Sequence, residues 1–157
     1  MLVKLPESTT FDTDLEHLAN VLKVPNFRHV KMRDEILGTP FKNECGIINL
    51  NRHTQSGSHW TCYFKDGHRR YYFDSFGQAP PTELLTYLKT PSEISKNAAV
   101  IHRSAVMVQH INTNECGSLC LYVLKKLSMG DSFSEILTYL LSRFRTTHNP
   151  PALTINM

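Results

Sequence analysis

Glu115-Cys116-Gly117-Ser118-Leu119-Cys120-Leu121-Tyr122-Val123-Leu124 is the stretch on which the fold turns. Leu119, Cys120, Val123, Leu124 and Leu127 recur at the three- and four-residue spacing that puts side chains on one helix face, and Gly130 supplies the stop. The periodicity predicts a helix with Cys116 at its N-terminus. There, unpaired backbone N–H groups and the positive end of the helix dipole favour a thiolate over a thiol. Gly117 lets a substrate backbone approach closely, and the Cys116 backbone N–H is placed to become an oxyanion donor. The same cysteine also fits a plainer role, because free cysteines are commonly buried fillers. Cys120, one turn further in among Leu119, Val123 and Leu124, reads as such a filler.

A thiolate nucleophile needs a base, and the base an orienting group. His59 to Phe64 and Arg70 to Phe73 are aromatic-rich runs separated by Lys65-Asp66-Gly67-His68, and Asp-Gly between two strand-like runs signals a hairpin. His59 then begins one strand and Asp74 ends its partner, so the two can meet. Taken singly, His59 is an ordinary polar residue at a strand end, Asp74 a turn-forming acid before Ser75 and Gly77, and Trp60 a core side chain or pocket wall. Ala105 to His110 reads as a further short strand. Gln109 lies at its end, seven positions before Cys116, where its amide can donate to the same oxyanion.

The remaining pattern is structural. Leu15, Leu18, Val21 and Leu22 mark a helix capped by Asp12 and stopped before Pro25. After the basic Arg28 to Arg33 stretch, Cys45 to Leu50 has the length and apolarity of a buried strand. A turn over Ser75 to Pro81 leads into a helix at Thr82 to Leu88, Ser132 to Phe144 forms a second C-terminal helix, and Arg145 to Met157, with Asn149-Pro150-Pro151, is extended. Without repeat or linker, residues 1–157 read as a single α+β domain.

In combination these residues carry a resemblance. Gly57-Ser58-His59-Trp60, then Tyr71-Tyr72-Phe73-Asp74-Ser75-Phe76-Gly77 with Pro80, then Gln109, then Glu115-Cys116-Gly117-Ser118-Leu119-Cys120 resembles the adenovirus endopeptidase and Ulp-type cysteine proteases. The sequence looks most similar to the adenovirus-like proteases of Maverick/Polinton elements and related DNA viruses. Phe27 to Glu35 and Glu44 to Leu50 share the likeness, which therefore covers most of the chain. It implies a papain-like or Ulp-type fold: a central mixed or antiparallel sheet flanked by helices, with the nucleophile at a helix N-terminus. It also implies His59 as base, Asp74 as its orienting acid, Cys116 as nucleophile, Gln109 as oxyanion donor, and Trp60 and Gly117 as substrate contacts. Asp74 and the acidic Glu115 match the Ulp side, where adenovirus enzymes carry Glu at the position of Asp74. The resemblance further implies a viral structural precursor or a ubiquitin-like conjugate as protein substrate, and a peptide or DNA activator. The thiol chemistry itself requires no cofactor.

Composition limits the alternatives. The 157 residues are 41% hydrophobic and 20% charged, with 7 Gly and 8 Pro, which excludes collagen-like, coiled-coil and largely disordered chains. The longest apolar run, around Leu119 to Leu124, is far short of the roughly 18 residues that span a bilayer. Met1 to Pro6 lack a secretory pattern, so the expectation is a non-secreted intracellular protein, or, if viral, one of the virion and the infected-cell nucleus or cytoplasm. Cys45, Cys62, Cys116 and Cys120 are then free thiols. A zinc site is the rival use of Cys and His, yet no Cys-x-x-Cys pair is present, and Cys116 with Cys120 would need partners such as His53 or His68, so no metal is expected. A net charge of +3, with Arg28, Lys31, Arg33, Lys65, Arg69 and Arg70 among aromatic residues, predicts at most weak, non-specific DNA binding. A nucleic-acid-binding module is the second rival reading, and an inactive relative serving as an interaction module is the third.

Overall fold

The structure, a computed structural model, describes residues 1–36, 38–52, 54, 59–89, 101–110, 113–146 and 151–157, with backbone alone at 145 and 146. Gly57, Ser58, His53, Asn149 and Pro150, named above, lie outside the described residues.

Five strands form the central sheet: β2 (Phe27–Met32), β3 (Asn43–Asn49), β4 (Trp60–Asp66), β5 (Arg69–Phe73) and β6 (His102–Arg103), in that spatial order. The two outer pairings are parallel and the two inner ones antiparallel, so the sheet is mixed. Register explains the layering. Ile47 lies opposite Cys62 and Cys62 opposite Phe73, and all three belong to the core that includes Leu119, Cys120, Val123 and Leu124 of the helix α3 (Cys116–Ser128). Side chains alternate along a strand, so Ile48, Tyr63 and Tyr72 face the other way. They pack with Leu84, Tyr87 and Leu88 of α2 (Thr82–Leu88). Helix α1 (Asp12–Val21) and α4 (Phe133–Thr146) join α3 on the first face through Leu15, Ala19, Ile136 and Leu140.

Four expectations are corrected. The strand expected over 105–110 is instead β6 at His102–Arg103. Only Tyr71 and Tyr72 lie beside it, and beyond them the chain follows the turn after β5: Ser104 Oγ accepts the Asp74 N–H (3.0 Å) and donates to the Asp74 carbonyl (3.1 Å), and the Val108 N–H donates to the Ser75 carbonyl (2.8 Å). The stretch Arg28 to Arg33, read only as basic, forms edge strand β2, whose apolar Val30 is buried against the core. Asp12 is the first helical residue rather than the cap of α1; the Asp14 carboxylate accepts the Phe11 N–H at 2.8 Å and fixes the start one residue earlier. The C-terminal stretch is not uniformly extended: α4 runs through Thr146, and Thr154–Asn156 forms β7, antiparallel to β1 (Leu2–Lys4). Ser132 caps α4, its hydroxyl accepting the Glu135 N–H at 3.1 Å.

Candidate active site

The sheet and α3 deliver three side chains to one place. His59 precedes β4, its carbonyl accepting the Leu50 N–H at 3.0 Å, and Asp74 follows β5, the antiparallel neighbour of β4. His59 Nε2 lies 2.6 Å from Asp74 Oδ1. Asp74 is fully buried, and its carboxylate accepts two further hydrogen bonds, from Phe76 N–H to Oδ1 (3.0 Å) and from Gln78 N–H to Oδ2 (3.1 Å). The acid is thereby fixed by its own turn before it holds the histidine. Nε2 faces Asp74, and the Cys116 thiol is the other side chain that acts on His59.

Electrostatics single out one thiol. Burial disfavours the Cys116 thiolate, but hydrogen bonds from His59 and from the backbone at Trp60 and Gly117 outweigh it, and its pKa falls below the ordinary thiol value. Burial also opposes a charged His59, yet hydrogen bonds to Asp74 and Cys116 prevail and raise its pKa to about 9. Both shifts move the pair toward a thiolate beside an imidazolium. Burial pushes Cys45 and Cys120 the other way, upward. Cys120 donates its S–H to the Trp60 carbonyl at 3.5 Å, as a core filler does. Glu115, beside Cys116, has its carboxyl pKa raised by burial; the charges acting on it are Arg143, Glu7 and His110.

Gln109 is buried and held from both sides. Its Nε2 donates to the Thr113 carbonyl (2.9 Å), and its Oε1 accepts the Ser75 hydroxyl (2.5 Å). A carbonyl only accepts, so the amide nitrogen must face Thr113, and Ser75 must be the donor on the other side. Thus Gln109 spans from the Asp74 turn to the loop that enters α3. Trp60 is 8% exposed, with its indole N–H donating to the Thr10 carbonyl at 3.0 Å. Gly117 is buried, and a Cβ there would run into the Thr10 hydroxyl and come within 2.9 Å of Leu15 Cδ2. The close approach that requires glycine is thus made by the segment leading into α1.

Sequence reasoning named His59, Asp74, Gln109 and Cys116 but gave no role to Ser75, Phe76, Ser104 or Thr113. Ser75 and Phe76 stood inside the Tyr71 to Gly77 run, and their polar and aromatic character next to Asp74 was the available signal. Phe76 stacks on the His59 ring, centroids 4.8 Å apart and planes inclined by 22°. Gly77, at φ +76°, closes this turn with its N–H on the Asp74 carbonyl (2.8 Å). Among the described residues, no three His, Cys, Asp or Glu side chains are arranged to hold a metal ion, and no helix is long and apolar enough to cross a membrane.

No family model matches the sequence, and no curated protein matches it. Solved structures do. The ASFV pS273R protease is similar at 15% identity with a TM-score of 0.53, over 90% of this chain and 67% of that one. A selenomethionine structure of the same protease gives 21% identity and a TM-score of 0.47 over 68% of this chain and 44% of that one. The SUMO protease Ulp1 with its catalytic cysteine oxidised to a sulfinic acid gives 15% identity and 0.48, over 88% and 80%. This chain thus spans about half to two thirds of the pS273R chains it matches. The mixed sheet, the helices on both faces and the likeness to pS273R together establish that this chain shares the α+β fold of the ASFV pS273R protease.

Proposed function

We propose that this protein is a cysteine endopeptidase that cleaves viral structural precursor proteins through a thioester intermediate. The observation that carries the reading is His59 Nε2 resting 2.6 Å from the buried Asp74 carboxylate, with Cys116 at the N-terminus of α3 acting on the same histidine. Cys116 Sγ attacks the scissile carbonyl carbon, and the negative charge that passes to the carbonyl oxygen is taken up by the Cys116 backbone N–H and the Gln109 amide. Collapse expels the amine, which takes its proton from the His59 imidazolium. Neutral His59 then removes a proton from water, the resulting hydroxide attacks the thioester, and the acid leaves as the thiolate and imidazolium are restored. Asp74 keeps His59 in the tautomer and orientation this cycle needs. In this reading Trp60 borders the cleft, and the substrate lies as an added extended strand with small residues next to the scissile bond.

The viral precursor substrate rests on the likeness of the Asp74-Ser75-Phe76-Gly77 and Gln109-to-Cys116 patterns to adenovirus-like proteases. The same likeness suggests a peptide or DNA activator. The test is incubation with candidate viral structural precursors and, in parallel, with ubiquitin and SUMO fusions, with and without added DNA, read by mass spectrometry. Cleavage of a precursor that disappears with Cys116→Ala is expected. Processing of the ubiquitin-like fusions alone would make the protein an isopeptidase, and no cleavage of either class by a folded protein whose Cys116 reacts as an ordinary thiol would overturn the protease reading.

A further inference from the structure

We propose that Phe76 is a positioning residue of this site: its ring, stacked on the face of His59, fixes the imidazole between Asp74 and Cys116 and favours its protonated form. The inference rests on the reading of His59 as the base. The hydrogen bond to Asp74 holds the imidazole at one nitrogen, and a ring held there can still pivot through its side-chain torsions. A second ring laid on its face at 4.8 Å and 22° blocks that pivot. The stacking also has an electronic consequence. The face of a phenyl ring is negative and attracts a cation within about 6 Å of its centroid, whereas neutral imidazole gains little from it. The titratable groups acting on His59 are Asp74 and Cys116, both of which favour the cation against the effect of burial, and Phe76 reinforces them from the ring's face.

Phe76 is itself held in place. Its N–H donates to Asp74 Oδ1, the oxygen that also holds His59 Nε2. Beyond it, a Cβ on Gly77 would lie 3.0 Å from Ala105 C and Val106 N, so the turn lies flat on the 105–106 backbone and cannot lift the ring away. One short turn therefore sets both the acid that orients the base and the surface on which the base rests.

The test needs no substrate. The His59 Cε1–H resonance, assigned through His59→Gln, is titrated by NMR in the parent, Phe76→Leu, Phe76→Tyr and Phe76→pentafluorophenylalanine, with thermal unfolding recorded for each. The last variant keeps the ring's shape and reverses the polarity of its face, so it remains informative if Phe76→Leu folds poorly. A cation–π contribution of the usual exposed size corresponds to roughly half a pH unit. We expect the midpoint to drop by about that much in Phe76→Leu, by at least as much in the fluorinated variant, and to return in Phe76→Tyr. An unchanged midpoint in the fluorinated variant, or a drop that Phe76→Tyr fails to restore, would overturn the role of Phe76 alone. A parent in which His59 titrates as a free imidazole and Cys116 alkylates no faster than Cys45, Cys62 or Cys120 would instead overturn the protease reading beneath it.

Discussion

At the scale of single residues, four buried thiols share one chain, and at Cys116 the neighbouring groups favour the anion. With limiting iodoacetamide near pH 6.5, peptide mapping should find the label on Cys116 before the other three, because burial drives Cys45 and Cys120 toward the neutral thiol while His59 holds Cys116 as the anion. Preferential labelling elsewhere with loss of activity would move the nucleophile. Thiol and base act as one unit, so His59→Ala should cost as much turnover as Cys116→Ala, on the order of 10⁶-fold, and Asp74→Asn about 10⁴-fold, since Asp74 only orients the ring. Activity surviving His59→Ala but lost in His110→Ala would reassign the base. Gln109→Ala should lower the catalytic rate by roughly 10²-fold and leave the alkylation rate of Cys116 unchanged, because an oxyanion donor acts on the transition state and not on the resting thiolate. An unchanged rate would return Gln109 to a purely structural part between Ser75 and Thr113.

At the scale of elements, what sequence could and could not reveal follows from the range of the forces involved. The hairpin β4–β5, the helix α2 and the start of α3 were legible because each is set by local chemistry: an Asp-Gly turn, an apolar face at helical spacing, a glycine stop. The five-stranded sheet's far edge was misplaced because β6 is only two residues long, and residues 104–108 are held by Ser104 and Val108 on the Asp74-Ser75 turn, contacts some 30 residues apart that no local pattern encodes. β2 was hidden by its charge, since an edge strand presents alternate side chains to water and its Arg and Lys read as surface. The same limit explains Gly117. From sequence its smallness looked like room for substrate, whereas the fold brings Thr10 and Leu15 against it. Gly117→Ala separates the two: overpacking against α1 should destabilise the protein by ~1–3 kcal/mol in urea unfolding. A variant of parental stability that no longer turns over would instead show that the space serves the substrate.

At the scale of the whole molecule, the two faces of the sheet are held differently. Behind the site, α1, α3 and α4 cover an apolar core; on the other face α2 is held by a polar knot around Glu44, a buried carboxylate. It accepts Arg28 Nη1 (2.8 Å), the Phe41 N–H (2.7 Å), the Tyr87 hydroxyl (2.8 Å to Oε2) and the Tyr63 hydroxyl, so β2, β3, β4 and α2 meet at one group. Burial by itself would raise the Glu44 pKa, but these donors outweigh it and lower it from 4.5. A carboxylate whose folded pKa is depressed adds stability that is complete above its unfolded pKa and is lost as pH falls through the folded value. The Glu44 contribution to the unfolding free energy should therefore be level above about pH 5 and decline below it. Glu44→Gln keeps the shape and gives up the charge-assisted bonds; it should cost ~1–3 kcal/mol at pH 7 and flatten the acid slope. Urea titrations of parent and variant at pH 7 and pH 4 measure both. An equal loss at the two pH values would mean that folding leaves the Glu44 pKa unshifted, and that the knot holds α2 by packing without ionic help.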